Sequence, residues 1–336
     1  MAKRLGRQTV ALETPVFIVA HAAVGGKKEQ EGPLKRYFDH LSDDDTFGEK
    51  SWEKAECQLQ KLAFKIALEK WGKSQQELDY LLAGDLLNQC ISSSFAARES
   101  QVPFWGLYGA CSTMGESIAL ASLLIDSGAA RTAAAVTSSH FCTAERQYRN
   151  PLAYGGQRPP TAQWTATASG CTILANEGRG PRITHITTGK IVDKGIKDAN
   201  NMGAAMAPAA YATLTAHFQD TGRQPSFYDL IVTGDLGKLG KEIVMDFFQK
   251  DGIELTNYDD CGTLIFDLKT QDVHCGGSGC GCSATVLTGY LLNGMREGKW
   301  QNILFCPTGA LLSPTSTQQG ESIPCICHAV AISNSK

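Results

Sequence analysis

The sequence predicts an α/β protein built from two duplicated halves, and three observations carry that prediction. First, Leu78-Asp79-Tyr80-Leu81-Leu82-Ala83-Gly84-Asp85-Leu86 recurs as Tyr228-Asp229-Leu230-Ile231-Val232-Thr233-Gly234-Asp235-Leu236, 150 positions later, with Asp79/Asp229, Gly84/Gly234, Asp85/Asp235 and Leu86/Leu236 identical in register. Second, each copy is a short apolar run ending in Gly-Asp, as expected of a buried parallel strand that gives way to a loop. Third, the same displacement carries Cys111 onto Cys261, each some 26 residues beyond its Gly-Asp. Register that holds through a third landmark favours duplication over chance likeness of two strands. Two similar parallel-rich sheets related by a pseudo-twofold axis are the expectation.

The elements follow in order. Lys3, Arg4 and Arg7 precede an apolar Val16-Phe17-Ile18-Val19-Ala20, and Ala20-His21-Ala22 resembles a signal-peptidase site. Glu13 and Pro15 leave an apolar run shorter than a secretory h-region, so the segment reads as a first strand. Gly25 to Lys50 is charged, has no counterpart in the second half and reads as a surface insertion. Trp52 to Trp71 carries Leu59, Leu62, Ala63, Ile66 and Ala67 at one-face helical spacing. Cys111 then opens an apolar helix through Ser117 to Ile125. Asn150 to Trp164, rich in Pro, Gly and aromatics, is a long loop. Asn176-Glu177-Gly178-Arg179-Gly180-Pro181 is a turn by composition and divides the chain into halves 1–178 and 179–336. Ala209 to Gln219 is the second half's shorter helix before its strand. Gly276 to Gly281 precede a helical run, Ala284 to Met295; they match neither the P-loop order nor the dinucleotide fingerprint, and read as close backbone packing.

Composition excludes several classes. With 336 residues, 43% hydrophobic and 19% charged, the chain is neither disordered nor an integral membrane protein. Its longest uncharged stretch, Val273 to Met295, opens with Cys275-Gly276-Gly277-Ser278-Gly279 and is no spanning helix. Lys+Arg 31 against Asp+Glu 34, with no basic run, argues against nucleic acid and polybasic lipid surfaces and for a small ligand. Twelve cysteines are too sparse for a stapled scaffold, so Cys57, Cys90, Cys142, Cys171 and Cys306 read as reduced core residues. Cys275, Cys280, Cys282, Cys325, Cys327 and His328 are soft ligands in number. They lack a C-x2-C pair, and strand alternation sends Cys325 and Cys327 one way and His328 the other, so no metal and no cofactor is expected.

Cys111 at a helix start suits either a nucleophile or a carboxylate site, because unpaired amides and the dipole there lower a thiol pKa and attract anions. A plain buried cysteine would look the same. Asp85 and Asp235 follow strand ends, where α/β proteins place ligand contacts, but each alone is ordinary cap chemistry.

A cysteine between a strand and a buried helix in the first of two halves resembles the thiolase superfamily. Leu82-Ala83-Gly84-Asp85-Leu86-Leu87-Asn88-Gln89, Gly109-Ala110-Cys111-Ser112, Thr143-Ala144-Glu145-Arg146-Gln147, Tyr154-Gly155-Gly156-Gln157, Ala205-Met206-Ala207-Pro208-Ala209-Ala210, Gly276-Gly277-Ser278-Gly279-Cys280, Thr308-Gly309-Ala310-Leu311-Leu312-Ser313-Pro314 and Gln318-Gln319-Gly320-Glu321-Ser322-Ile323-Pro324 together resemble the stage V sporulation protein AD family, along the whole chain. That resemblance implies a thiolase-like αβαβα sandwich and a homodimer paired through the first-half sheet. It further implies a soluble component of the spore-forming machinery that moves dipicolinic acid, or its calcium chelate, into the developing spore.

Departures from the catalytic superfamily bear on activity. After the second-half strand, where a type III ketoacyl synthase carries its catalytic histidine, stands Gly234. Where thiolases carry Gly-His-Pro and type III synthases an asparagine, the chain reads Gly276 to Gly281. A cysteine without its base and hydrogen-bond donors loses most acyl transfer, so a pseudoenzyme with a retained binding pocket is the leading expectation. The ligand is expected at Cys111 and Ser112, where the helix start supplies backbone N–H groups, with Gly309 on the opposite wall, Asp85 with His140 or His328 as polar contacts, and Arg146 or Arg149 against a carboxylate. Two alternatives are a cysteine-dependent acyltransferase with His140 or His328 as base, and a scaffold that only bridges membrane subunits. The expected place of action is the cytoplasm of the developing spore, peripheral to the inner membrane. With no N-terminal Gly for myristoylation and no prenylation box, attachment there is expected through protein partners.

Overall fold

The computed structural model describes residues 2–148 and 158–334, so Arg149 and the Tyr154-Gly155-Gly156-Gln157 phrase lie outside the described residues. Its principal strands are β1 Thr9–Gly25, β2 Tyr80–Gly84, β3 Phe104–Gly106, β4 Thr132–Ser139, β5 Ala168–Ala175, β6 Arg182–Thr187, β7 Leu230–Thr233, β8 Tyr258–Asp260, β9 Asn302–Cys306 and β10 Ala329–Ser333. They lie in the order β3-β2-β4-β5-β1-β6-β10-β9-β7-β8. Read outward from the centre, the second half repeats the first strand for strand. Directions repeat as well: β2 is parallel to β3 and β4, as β7 is to β8 and β9, and the inner pairings are antiparallel in both halves. The two copies of the sequence repeat fall on β2 and β7, which occupy equivalent places.

The repeated residues explain why. Asp79 Oδ2 accepts the amides of Arg131 (2.6 Å) and Thr132 (3.1 Å), and Asp229 Oδ2 accepts those of Gln301 (2.7 Å) and Asn302 (2.8 Å). Each carboxylate thus satisfies the amides that open the neighbouring strand, β4 or β9, and fixes its register. Gly84 and Gly234 end their strands where another segment crosses closely: a Cβ at Gly84 would stand 2.3 Å from the Leu107 carbonyl, and one at Gly234 2.8 Å from Pro307 Cα.

The two β layers are not separate but hydrogen-bonded into one continuous sheet. β1 is 17 residues long, pairing with β6 through Thr9 to Phe17 and with β5 through Phe17 to Gly25, so the halves join in one sheet that is parallel only in its outer strands. The interruption expected at Glu13 and Pro15 is a register shift between Ala11 and Val16, not an end. Asp126 Oδ1 accepts the amides of Glu13 and Thr14 (both 2.8 Å), which keeps the bulged backbone satisfied.

The principal helices are α1 Trp52–Trp71, α2 Ile91–Ala97, α3 Thr113–Asp126, α4 Phe141–Tyr148, α5 Met202–Thr221, α6 Gly237–Lys250, α7 Cys261–Ile265, α8 Cys280–Thr285 and α9 Leu292–Arg296, with a π-helical stretch, Val286–Leu291, joining the last two. Leu59, Ala63 and Ala67 of α1 pack on Leu81, Ala83, Val136 and Ile173, covering the outer face of the first half. Met206, Ala210 and Leu214 of α5 do the same on Ile231, Leu304 and Ala331 of the second. Between the halves, Met114, Ile118 and Ile125 of α3 meet Val286, Leu291, Leu174, Phe305 and Ile332. These are the five layers of an αβαβα sandwich.

α1 has the bounds its periodicity predicts, with Ser51 Oγ accepting the Lys54 amide at one end and Gly72 at φ 72° closing the other. α5 begins well before the expected Ala209 and runs through Pro208. An interior proline costs about 3 kcal/mol, and burial of Ala205, Met206, Ala209, Ala210 and Leu214 offsets it.

The segment Gly25 to Lys50 is no free surface loop. Glu29 is 1% exposed and accepts the amides of Gly26 (3.1 Å) and Thr167 (3.1 Å), and His40–Leu41 adds to β1. The Cys111/Cys261 correspondence also fails. Cys261 opens the five-residue α7, whereas the helix buried opposite α3 starts at Cys280, after a strand pair of Gly277–Ser278 with Trp164–Thr165. Among the described residues no helix is long and apolar enough to cross a membrane.

Candidate ligand-binding site

Cys111 sits in a single 3-10 turn, Ala110–Ser112, that runs into α3, with Ala110 in the left-handed region at φ 49°. Local hydroxyls hold this strained turn: Ser112 Oγ donates to the Gly109 carbonyl (2.7 Å), and Thr113 Oγ1 donates to the Ala110 carbonyl (2.6 Å) while accepting the Gly109 amide (3.1 Å). The strand pair Thr308–Ala310 with Cys325–Cys327 closes on it from the second half. A Cβ at Gly309 would lie 2.2 Å from the Gly109 carbonyl oxygen and 3.1 Å from the Ser112 amide, so glycine is required for this approach. The fold therefore brings Cys111, Ser112 and Gly309 together.

The thiol lies in an apolar cluster. Cys111 packs with Leu86, Ala110, Ala144 and Cys280, against half-buried Tyr148 and Leu311. Tyr148 Oη donates to the Leu86 carbonyl (2.8 Å) and meets Tyr108 Oη at 2.9 Å, which pairs two phenols beside the cluster. Behind the thiol is Asp235, fully buried, whose carboxylate accepts Ser278 Oγ, Thr308 Oγ1 and the Gly279 amide, each at 3.0 Å, together with the Cys111 thiol. Burial raises the Asp235 pKa against these bonds.

Of the two readings left open for Cys111, its pKa follows that of a buried cysteine rather than a helix-start thiolate. Burial, then the Asp235 charge and the Cys280 thiol, push Cys111 well above its ordinary value, and the amide of Gly279 pulls the other way without prevailing. Low dielectric penalises the thiolate more than one helix start favours it. Cys111 is thereby placed as a hydrogen-bond donor to Asp235.

The other expected site residues make contacts of their own. Asp85 accepts the Leu87 amide (2.8 Å) and both the amide (2.8 Å) and hydroxyl (2.6 Å) of Ser93, tying the β2 end to α2. His140 accepts the Cys142 amide at Nδ1 (3.1 Å), which makes Nε2 the protonated nitrogen that donates to the Asp45 carbonyl (2.8 Å); Trp52 lies against the ring. Neither nitrogen is left to serve as a base. His328 Nδ1 accepts the Gly189 amide (3.3 Å), and burial lowers its pKa to about 4. Arg146 pairs with Glu53 of α1. Among the described residues no three His, Cys, Asp or Glu side chains converge as a metal site requires. Sequence reading passed over Tyr108, Tyr148, Ser278 and Cys280 as site residues and took Asp235 for a cap; the Gly276 to Gly281 run was the visible signal for Ser278 and Cys280.

The profile of the family described as Stage V sporulation protein AD (SpoVAD) matches residues 6–333. The chain belongs to the stage V sporulation protein AD family. It is 46% identical over 329 residues to Stage V sporulation protein AD of Bacillus subtilis (strain 168), covering 98% of this chain and 97% of that one. Among solved structures, human mitochondrial 3-ketoacyl-CoA thiolase aligns with a TM-score of 0.60 at 12% identity, over 97% of this chain and 100% of that chain. The 3-oxoacyl-[acyl-carrier-protein] synthase III of Aquifex aeolicus VF5 aligns with a TM-score of 0.57 at 12% identity, over 95% and 99%. These likenesses show a thiolase-like fold. This member of a sporulation family therefore shares its fold with condensing enzymes.

Proposed function

We propose that this chain binds dipicolinic acid, or its calcium chelate, without transforming it, as a peripheral subunit of the spore's dipicolinate uptake machinery. The observation that carries the reading is the Cys111 thiol, hydrogen-bonded to Asp235 within an apolar cluster that the paired Tyr148 and Tyr108 phenols flank. A planar pyridine ring suits apolar walls between tyrosines, and the amides of the helix start with the phenol hydroxyls suit its carboxylates. The occupied nitrogens of His140 count against the rival acyltransferase reading. Calorimetry with dipicolinate, with and without calcium, should give saturable heat, and acetyl-CoA should be neither hydrolysed nor left as an adduct on Cys111. Thioester turnover, or no heat at all, would sink the reading.

Passage of a polar dianion through a bilayer needs a closed path that membrane partners supply. The chain therefore docks on membrane subunits of the same machinery, in the developing spore. It does so as a homodimer paired along β3, an edge strand exposing Phe104 (37%) and Trp105 (47%) beside Ile91 and Phe95 of α2. An open edge with an apolar row is a template for pairing. Trp105→Asp should convert a dimer to a monomer in analytical ultracentrifugation; a monomeric parent protein would refute the pairing.

A further inference from the structure

A groove of about 610 Å³ lies at the opposite end of the strands from Cys111. β5 runs from Ala168, opposite Ser139, to Ala175, opposite Thr132, and the turn Gly178 to Pro181 follows it at the far edge. The floor is apolar, made by Phe17, Ile18, Val19, Pro181 and Leu292, and the charged lining consists of Lys70, Arg179 and Arg296 with no Asp or Glu among the lining residues. In a chain of net charge -3 this is a local reversal of sign.

The cations differ in how they are engaged. Lys70 Nζ already holds Asp39 Oδ1 (2.6 Å) and the His21 carbonyl (2.9 Å). Arg179 and Arg296 make no ion pair among the described residues. Arg179 is set by the glycines on either side of it: Gly178 and Gly180 have φ of 140° and 144°, and a Cβ on either would strike Val19 or the Ile18 carbonyl. The turn is thereby pinned on β1. His21 lines the groove too, and its Nδ1 is buried without a partner while the ring donates to the Thr288 carbonyl.

We propose that this groove is a second binding site, separate from the proposed Cys111 site, for a small free ligand that carries a phosphate or diphosphate group on an apolar body. Two guanidinium groups that keep their planar forks free recognise phosphate oxygens in pairs, and the surplus of positive charge answers a group of more than one negative charge. The apolar floor takes the body of the ligand. A lipid headgroup offers the same phosphate, so the source must be separated by experiment.

The test uses the full chain, with inorganic pyrophosphate as the probe in calorimetry at low salt, beside the Arg179→Glu/Arg296→Glu double variant. Both side chains are exposed, so the variant should fold as the parent does. Pyrophosphate affinity should fall at least about tenfold on double reversal and weaken with added salt, while dipicolinate affinity stays within about twofold. That last reading keeps a failure here distinct from a failure at Cys111. Pyrophosphate that does not bind, or binds the variant equally well, overturns the proposal. So does association of the parent protein with phosphatidylglycerol vesicles alone.

Discussion

Cys111→Phe is expected to weaken dipicolinate binding by at least about 100-fold, while Cys111→Ala keeps it within about fivefold. The phenyl ring would occupy the space bounded by Leu86, Ala110, Ala144 and Cys280. Overpacking a buried position costs roughly 1–3 kcal/mol, which a chain of this size tolerates, so loss of binding can be read in a folded protein. Alanine removes the thiol and its bond to Asp235 but adds no bulk. If Cys111 instead acted through its sulfur, alanine would be as damaging as phenylalanine. Calorimetry on both variants, with far-UV circular dichroism as the folding control, decides. Unchanged affinity in Cys111→Phe would place the ligand elsewhere.

Asp235→Ala is expected to cost roughly 3 kcal/mol of stability. The loss arises because Ser278 Oγ, Thr308 Oγ1 and the Gly279 amide, all buried, would be left without their acceptor. These groups come from the two strand pairs that close the site, Gly277–Ser278 on Trp164–Thr165 and Thr308–Ala310 on Cys325–Cys327. Loosening them should also withdraw Gly309 from Ser112 and reduce ligand affinity. Asp235→Asn, similar in shape and able to accept some of these bonds, should lose less than half as much. Urea unfolding monitored by tryptophan fluorescence is the measurement; a midpoint for Asp235→Ala equal to that of the parent protein would show that the carboxylate holds nothing together.

The repeat predicts the duplicated sheet because its residues act locally and alike: Asp79 and Asp229 each bind the amides that open the next strand. α1 was legible for a similar reason, since one apolar face, a serine at its start and a glycine past its end are all written within one stretch of chain. The Gly-Ala-Cys-Ser phrase and the Thr308-Gly309-Ala310 turn were legible as parts of one site through family resemblance, and the close approach of Gly309 to the Ser112 turn explains the glycine.

What sequence by itself determined is therefore the α/β class, the two halves, the family and the position of Cys111. Tertiary structure alone decided that β1 would join the halves into one sheet, that α5 would run through Pro208, and that Glu29 would draw the segment after Gly25 into the core. It also decided the state of the thiol. Helix-start amides argue for a thiolate from local geometry, but desolvation and the Asp235 carboxylate, brought from the other half of the chain, hold the proton on Cys111. Local pattern records which face of an element is apolar. The pKa of a buried group depends on how much water packing removes and which distant charge it delivers, and neither is periodic along the chain.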